Sequence, residues 1–565
     1  MTRPICRWTF PQEEVGGDLL ARVLAARGLS GPEEQEAYLH GNLKALPRPE
    51  ALPGVSTAAP HLLDAIDQGR SIAIYGDYDV DGITSVAILW HTLRAIAPDA
   101  QIQTYIPHRV DEGYGLHCEA LSRLHEQGAQ VVITVDCGVT AVEEVAHARG
   151  LGMDMIITDH HRPDAHAVLP DAVAIVHPAL PGSTYPWPHL SGSVVAWKLA
   201  WHMARLHAGS DRVGTALQHV LMDTLCLAGL GLIADVMPLA DENRMIAKAA
   251  LGHMHRCRIP GVEALLRSCL KPEESVDAEA VGFRMAPRLN AAGRLDDARI
   301  ALELLTTEDQ NEAAQIADQL TSINIKRQKV VKDIETVALD RARDSGQTES
   351  ESAIVLCGRD WNPGVIGIVC SRLVERFHRP VVLVCEGESL KGSVRSIDGF
   401  SVYEAMSQCR DHFETFGGHA MAAGMTVKQG HFEEFRDQFL AIASSQLSQD
   451  DLIRELRVDS EASLDELTVP SIRRLDAMRP FGRGNPGPRL LLRDVVVDSC
   501  KVMGAHSAHL DIRLGRLRCV WWGRGDLESS LPRGRRVDIV GKPVIDTWKG
   551  AARVQLVVDD IKPSD

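Results

Sequence analysis

The sequence predicts a multi-domain α/β protein: a parallel-sheet domain covered by helices, a long connecting helix, a second α/β domain and a small all-β domain at the end. Three observations carry this reading. Short apolar runs alternate with longer amphipathic ones from Ser71 onward, the pattern of strands buried between helices. A charged stretch from about Ala298 to Arg343 is rich in helix formers, poor in Gly and Pro, and spaces its apolar residues near 3.6. Beyond Pro488 the chain breaks into short β-rich runs. A length of 565 residues also exceeds what one hydrophobic core organises.

In order along the chain, residues 1–70 are expected to pack on the first domain as helices and loops. That domain, residues 71–297, has strands at Ser71–Tyr75, Ile102–Ile106, Val131–Val135, Met155–Thr158 and Val173–Val176, with helical spacers between. The connecting helix is placed at 298–345 and the second α/β domain at 346–459, opening with Ala353-Ile-Val-Leu356 and including the strand Pro380–Cys385. The last domain, 460–565, enters through the turn-rich Arg479-Pro-Phe-Gly-Arg-Gly-Asn-Pro-Gly-Pro488. Its runs Leu490–Asp494, His509–Leu514, Arg518–Trp522, Val537–Val540 and Arg553–Val558 suggest a small barrel.

Charge and cysteine usage narrow the function classes. The net charge of -16 excludes a chain that coats nucleic acid indiscriminately, although it permits a local basic groove. From Pro486 onward the balance turns to +4, which leaves -20 on the preceding residues. The 12 cysteines contain no Cys-x-x-Cys pair, which disfavours a zinc ribbon or a disulfide scaffold. The start lacks an apolar signal core, and the most apolar run, Thr224 to Ala234, is bounded by Asp223 and Asp235. The expectation is a cytoplasmic protein with no membrane partner.

Chemistry concentrates in Tyr75-Gly-Asp-Tyr-Asp-Val-Asp-Gly82, where Asp77, Asp79 and Asp81 follow a strand and precede a helical run. Ligands of a parallel sheet sit beyond the carboxyl ends of its strands. Three carboxylates within five residues repel unless a cation compensates them, so a divalent metal is the economical explanation. An EF-hand is rejected because the twelfth loop position is Ile88 rather than Glu. A phospho-aspartate motif is weakened because Ile83 follows the Gly directly, and an acidic turn exposed to water is the plain alternative. Against that alternative, the later strand ends Val135-Asp136-Cys-Gly138 and Thr158-Asp159-His160-His161 add carboxylate and imidazole groups where side chains can converge. A mixed His and carboxylate set suits Mn²⁺, with Mg²⁺ possible.

The triplet Asp159-His160-His161, read with an ordered series of further motifs, resembles the DHH phosphoesterase superfamily and within it the RecJ exonuclease family. The series comprises Ile106-Pro-His-Arg-Val-Asp-Glu-Gly-Tyr-Gly-Leu116, Gly231-Leu-Ile-Ala-Asp-Val-Met-Pro-Leu239, Pro287-Arg-Leu-Asn-Ala-Ala-Gly-Arg294, Gly364-Val-Ile-Gly-Ile368 and Phe416-Gly-Gly-His-Ala-Met-Ala-Ala-Gly424. The resemblance implies a parallel-sheet DHH domain, an α/β DHHA1 domain and a C-terminal OB-fold.

It further implies that Asp79, Asp81, Asp136, His160 and Asp235 hold two ions, with Asp77 an outer or second-site contributor to the metal set and His161 a phosphate or metal contact. Asp235 is taken as the strand-end Asp of the fourth motif, with Asp223 as runner-up and more suited to capping a helical turn. Asp159 would orient His160, and Asp81 or Asp136 would bridge the ions. Arg109, Arg288, Arg294 and Arg395 would grip phosphates, Asn290 would add an amide contact, and Gly417-Gly418-His419 would approach a phosphate from a DHHA1 domain lying over the cleft. Ordinary surface ion pairs and a Gly-Gly turn are the competing readings. The OB-fold would bind single strands through a basic groove and aromatics among Trp521, Trp522 and Trp548, although one of the adjacent pair must face the core. Two positions depart from the family pattern, Asn362 where His is general and Val394 where a small residue is common.

The implied activity is 5′→3′ exonuclease action on single-stranded DNA, releasing 5′-mononucleotides in recombination and repair. Single-strand-binding protein and a helicase are implied partners of a monomeric enzyme. Another DHH activity, on short RNA or small nucleotides, and a non-catalytic nucleic-acid-binding relative are the alternatives.

Overall fold

The computed structural model describes residues 6–11, 16–109, 111–163, 167–348, 350–547 and 550–564. The chain divides into two compact units.

One unit comprises His40–Arg327 and Pro480–Pro486. Its sheet contains β1 (Ile72–Tyr75), β2 (Ile102–Tyr105), β3 (Val131–Val135), β4 (Asp154–Thr158) and β5 (Ala174–Val176), all parallel, in the spatial order β2-β1-β3-β4-β5. Both β1 and β3 are buried along their whole length, because helices cover both faces and leave no side for polar residues. In register, Ile72 stands beside Ile102 and Val131, and Val135 beside Thr158. Strand order reverses between β1 and β3, which opens a crevice at their carboxyl ends.

The large core of this unit is shared by α1 (Val80–Ile96), α2 (Gly192–Ala208) and α3 (Thr215–Ala234). Helix α3 is long and apolar enough to cross a membrane by composition, but 67% of its apolar window is buried inside the protein. It is apolar on most sides because other helices surround it.

The expected connecting helix over 298–345 is instead two helices, Arg299–Thr306 and α4 (Gln310–Asp344). Asp309 makes the break: its Oδ1 accepts from the Asn311 and Glu312 amides at 2.7 and 2.8 Å, a cap that starts a new helix.

The second unit comprises Met1–Leu39, Gln328–Arg479 and Gly487–Asp565. Strands β6 (Ile354–Arg359), β7 (Val381–Glu386), β8 (Leu390–Arg395), β9 (Phe413–His419) and β10 (Ala422–Val427) form a mixed sheet in the order β9-β10-β8-β7-β6. It is flanked by α5 (Pro363–Phe377) and α6 (Phe432–Gln446). A seven-stranded C-terminal sheet follows, built from β11 (Ser460–Glu461), β12 (Leu490–Val496), β13 (Ser499–Met503), β14 (His509–Leu514), β15 (Leu517–Trp521), β16 (Arg536–Asp546) and β17 (Arg553–Pro563).

The N-terminal segment departs from expectation. Residues up to Leu39 belong with the C-terminal unit, and only the chain from His40 belongs with the first sheet. The strand Arg7–Thr9 pairs in parallel with Glu455–Arg457, and Arg27 forks onto Asp459 through Nε and Nη2, both at 3.1 Å. Backbone pairing and a two-pronged ion pair fix this placement.

Candidate metal centre

The acidic run folds as its spacing requires. Asp77 follows β1, Asp79 caps α1 by accepting from the Gly82 amide at 3.0 Å, and Asp81 lies in the first turn of α1. Asp81 is buried, and its oxygens accept from the Gly192 and Ser193 amides at 2.6 and 3.0 Å. Those amides open α2, whose positive end suits a carboxylate. A side chain on Gly231 would collide with Ser193 Oγ, Asp81 Oδ1 and Thr84 Oγ1, so only glycine lets α3 approach here.

Asp136 follows β3 with φ at +61°, a left-handed conformation unusual for a residue with a side chain. Its carboxylate is buried. His160, after β4, brings Nε2 to 3.0 Å from Asp136 Oδ1, 3.8 Å from Asp81 Oδ2 and 3.7 Å from Asp235 Oδ2. Donor atoms converge in three overlapping triplets: Asp77, Asp79 and Asp136; Asp136, His160 and His161; and Asp81, His160 and Asp235.

Electrostatics fit a cation in this crevice. Asp77 Oδ1 and Asp136 Oδ1 are buried without a hydrogen-bond partner in the protein. Burial first, and then the charge of neighbouring carboxylates, push the acids of Asp77, Asp81, Asp136 and Asp235 well above the ordinary range. Burial also holds His160 down to about 3, so its ring is neutral. The ring hydrogen-bonds the Leu190 backbone. With Nε2 turned toward the carboxylates, that bond falls to Nδ1 and leaves the Nε2 lone pair facing Asp136 Oδ1 at 3.0 Å. Two electron-rich atoms so placed need a proton or a metal cation with them. Imidazole and carboxylate donors together suit Mn²⁺ and also Mg²⁺.

Several expectations are corrected. Asp235 ends helix α3 rather than a strand, because the apolar run before it is too long for a strand and buried among helices. Asp223 caps nothing: it lies within α3 and is claimed by Arg258, whose amide and Nε approach at 3.2 and 2.9 Å. Asp159 serves His161 and not the His160 ring; its Oδ1 meets His161 Nδ1 at 2.8 Å and the two histidine amides at 2.7 and 3.0 Å. Although burial opposes both shifts, this pairing depresses Asp159 and raises His161 to about 9. Asp77, ranked below Asp79 and Asp81 from sequence, sits among the donors on equal terms.

The phosphate-grip candidates divide. The Arg109 guanidinium lies 3.8 Å from the Tyr78 ring centroid, its buried Nε has no partner, and its charge reaches Asp77. Arg294 lies near enough for its charge to act on Tyr78, and Asn290 Oδ1 is buried without a partner. Arg288 is instead spent on the protein, donating to Thr321 Oγ1, Arg284 O and Ser268 O. Arg395 is largely buried and donates to Ser393 Oγ and Val394 O, and burial depresses its pKa.

In the second unit, Gly417, Gly418 and His419 lie on the exposed edge strand β9 and not in a turn. Gly418 has φ at +147°, and a side chain there would strike Ala422 O and Ala423. Asn362 caps α5, accepting from the Gly364 amide at 2.8 Å, and Val394 is a buried core residue. Trp521 is buried, whereas Trp522 is 55% exposed with its ring 4.8 Å from His509; Trp548 lies outside the described residues.

Sequence reasoning missed the α2 amides that hold Asp81 and the Tyr114 hydroxyl, 3.1 Å from His161 Nδ1. The triplet Ser191-Gly-Ser193 before an apolar run was the available signal, since such residues open helices. Nothing in the sequence marks Tyr114 beyond its place in a motif.

A five-stranded parallel sheet with carboxylates and imidazoles gathered at its switch point defines the class, and residues 71–229 match the DHH family N-terminal domain. Residues 350–449 match the DHHA1 domain and 458–560 the RecJ OB domain. The chain is 38% identical to the single-stranded-DNA-specific exonuclease RecJ of Bacillus subtilis over 97% of its length and 68% of the relative's. It is 32% identical to the Escherichia coli protein of that name, over 96% of each. The crystal structure of RecJ with Mn²⁺ from Thermus thermophilus superposes with a TM-score of 0.84 at 30% identity, covering 100% of this chain and 80% of that one. A Mg²⁺ complex gives 0.76 at 30% identity, covering 97% and 74%. The chain belongs to the RecJ family.

Proposed function

We propose that this chain is a metal-dependent exonuclease that hydrolyses single-stranded DNA from the 5′ end and releases 5′-mononucleotides. One observation carries the reading: carboxylates and His160 converge at the switch point with buried oxygens that no protein donor meets. The names of the relatives supply the substrate, and the family resemblance supplies polarity, product and a place in recombination and repair.

Asp77, Asp79 and Asp136 would hold one ion and Asp81, His160 and Asp235 the other, and the two oxygens of Asp136 could serve both. Bound divalent ions supply a water of lowered pKa and charge compensation on the phosphoryl oxygens. The α2 amides fix Asp81 so that it cannot rotate away. Asp159 and Tyr114 hold His161, and the Asp159 carboxylate favours its protonated ring, which can donate to a phosphate oxygen. Arg109 and Arg294 place positive charge beside Tyr78, at the edge of the cluster, with Asn290 as an amide contact. On the other unit, His419 and the exposed backbone of Gly417 and Gly418 would contact the strand, and Trp522 offers a face for base stacking.

The test is turnover by purified protein with Mn²⁺ on end-labelled single-stranded DNA, duplex DNA and short RNA. Degradation of the single-stranded DNA from its 5′ end is expected. Preference for short RNA would replace the substrate assignment, and inertness toward all three would sink the catalytic one. Action as a cytoplasmic monomer beside single-strand-binding protein and a helicase completes the proposal; no disulfide links the twelve cysteines, which accords with a reducing compartment.

A further inference from the structure

We propose that His412, His431 and Glu434 form a separate site for one zinc-class transition ion, in the unit that does not contain the carboxylate cluster. His412 closes the helical turn Arg410–His412 just ahead of β9, His431 stands just before the first residue of α6, and Glu434 lies in the first turn of α6. The two Nδ1 atoms are 3.3 Å apart, and Glu434 Oε2 is 3.6 Å from His431 Nδ1 and 3.9 Å from His412 Nδ1. A tetrahedral ion with bonds of about 2.0–2.1 Å needs its donor atoms about 3.3–3.5 Å apart. The triangle is near that size before any ion draws it in.

A second, independent observation fixes the state of His412. Gln438 Nε2 donates to the Gln408 carbonyl at 2.9 Å, which orients the amide and turns Oε1 toward His412 Nε2 at 2.8 Å. The proton of the neutral ring therefore resides on Nε2. Its Nδ1 lone pair faces the other two donors and pairs with His431 Nδ1 at 3.3 Å, the arrangement in which a second partner locks a ligating imidazole. Two imidazoles and one carboxylate favour Zn²⁺ over the harder Mg²⁺, and a fourth position remains for water.

An ion here would fasten the base of a hairpin. Phe413 pairs with Val427, and the Lys428 amide donates to His412 O at 2.9 Å, so the site joins both ends of β9–β10 to the start of α6. That hairpin carries Gly417, Gly418 and His419.

The test dialyses the full-length chain against Zn²⁺ in excess Mg²⁺ and counts bound zinc by elemental analysis. Asp136→Asn serves as background, because it weakens the carboxylate cluster, and any zinc that cluster retains is common to every variant compared. In that background one zinc equivalent is expected to be lost on adding His431→Ala or Glu434→Gln. Gln438→Ala, which keeps all three ligands, should bind that zinc about 10- to 100-fold more weakly. His431 and Glu434 side chains are 43% and 70% exposed, so their replacement spares the fold, checked by circular dichroism in chelator. Zinc should raise the melting temperature of Asp136→Asn more than that of the Asp136→Asn/His431→Ala protein. Equal zinc content in those two proteins overturns the site.

Discussion

Two buried aspartates, one in each unit, show opposite bookkeeping. Asp459 accepts both prongs of Arg27 and the Arg489 amide at 2.8 Å, so its charge is closed by the protein. Asp136 is equally buried, holds a strained backbone, and turns Oδ1 toward a histidine lone pair with no donor in reach. Burial of a carboxylate is therefore uninformative by itself; what distinguishes a scaffold from a reaction centre is whether the chain supplies the counter-charge.

The largest effect should come from Asp136→Asn. Loss of a shared ligand removes several kcal/mol of charge stabilisation, so single-turnover cleavage of a short strand with Mn²⁺ should fall by about three decades or more. In chelator the same variant should be at least as stable as the wild type by denaturant melts, because it removes a repelling charge. Residual cleavage within tenfold of the wild type would erase the contrast with Asp459. Arg27→Ala makes the opposite case. Leaving Asp459 buried and unpaired should cost about 3–5 kcal/mol of stability, with or without metal, while turnover of the folded enzyme stays near wild type.

Removal of divalent metal sharpens the same point at smaller scale. Mn²⁺ at about 100 times its Kd should stabilise the wild type by about 2.7 kcal/mol, and Asp136→Asn by much less. Equal shifts in the two proteins, read by thermal melting, would mean that the ion binds elsewhere.

How much of this was legible depends on range in sequence. The strands of the first sheet were readable to within a residue at most ends, because burial on both faces forces continuous apolar runs such as Val131–Val135. The cluster was visible as charge without compensation at successive strand ends. Asp235 was found while its helix was misread, since a buried apolar helix and a buried strand look alike over short windows. The placement of residues up to 39 depends on partners more than 400 positions away, Arg27 with Asp459 among them, and local pattern carries no trace of such pairs. Arg288 and Arg395 are harder to read for a related reason: residue type gives the donors but not the acceptors they meet within the protein.

The smallest effect concerns Asn362, the position that departs from the family pattern. Its Oδ1 meets the Gly364 amide, with Pro363 in the first turn of α5 removing one donor that would otherwise need a partner. The departure is thus absorbed as a helix cap, an oxygen acceptor that a neutral imidazole would supply less well at this spacing. Asn362→Ala should cost about 1 kcal/mol in a denaturant melt, and Asn362→Asp should recover most of it because a carboxylate serves equally as a cap. Cleavage of a saturating short strand should be unaffected in both. If turnover falls with Asn362→Ala while stability holds, Asn362 acts on the substrate, and the division between closed scaffold and open centre would have to admit this residue on the other side.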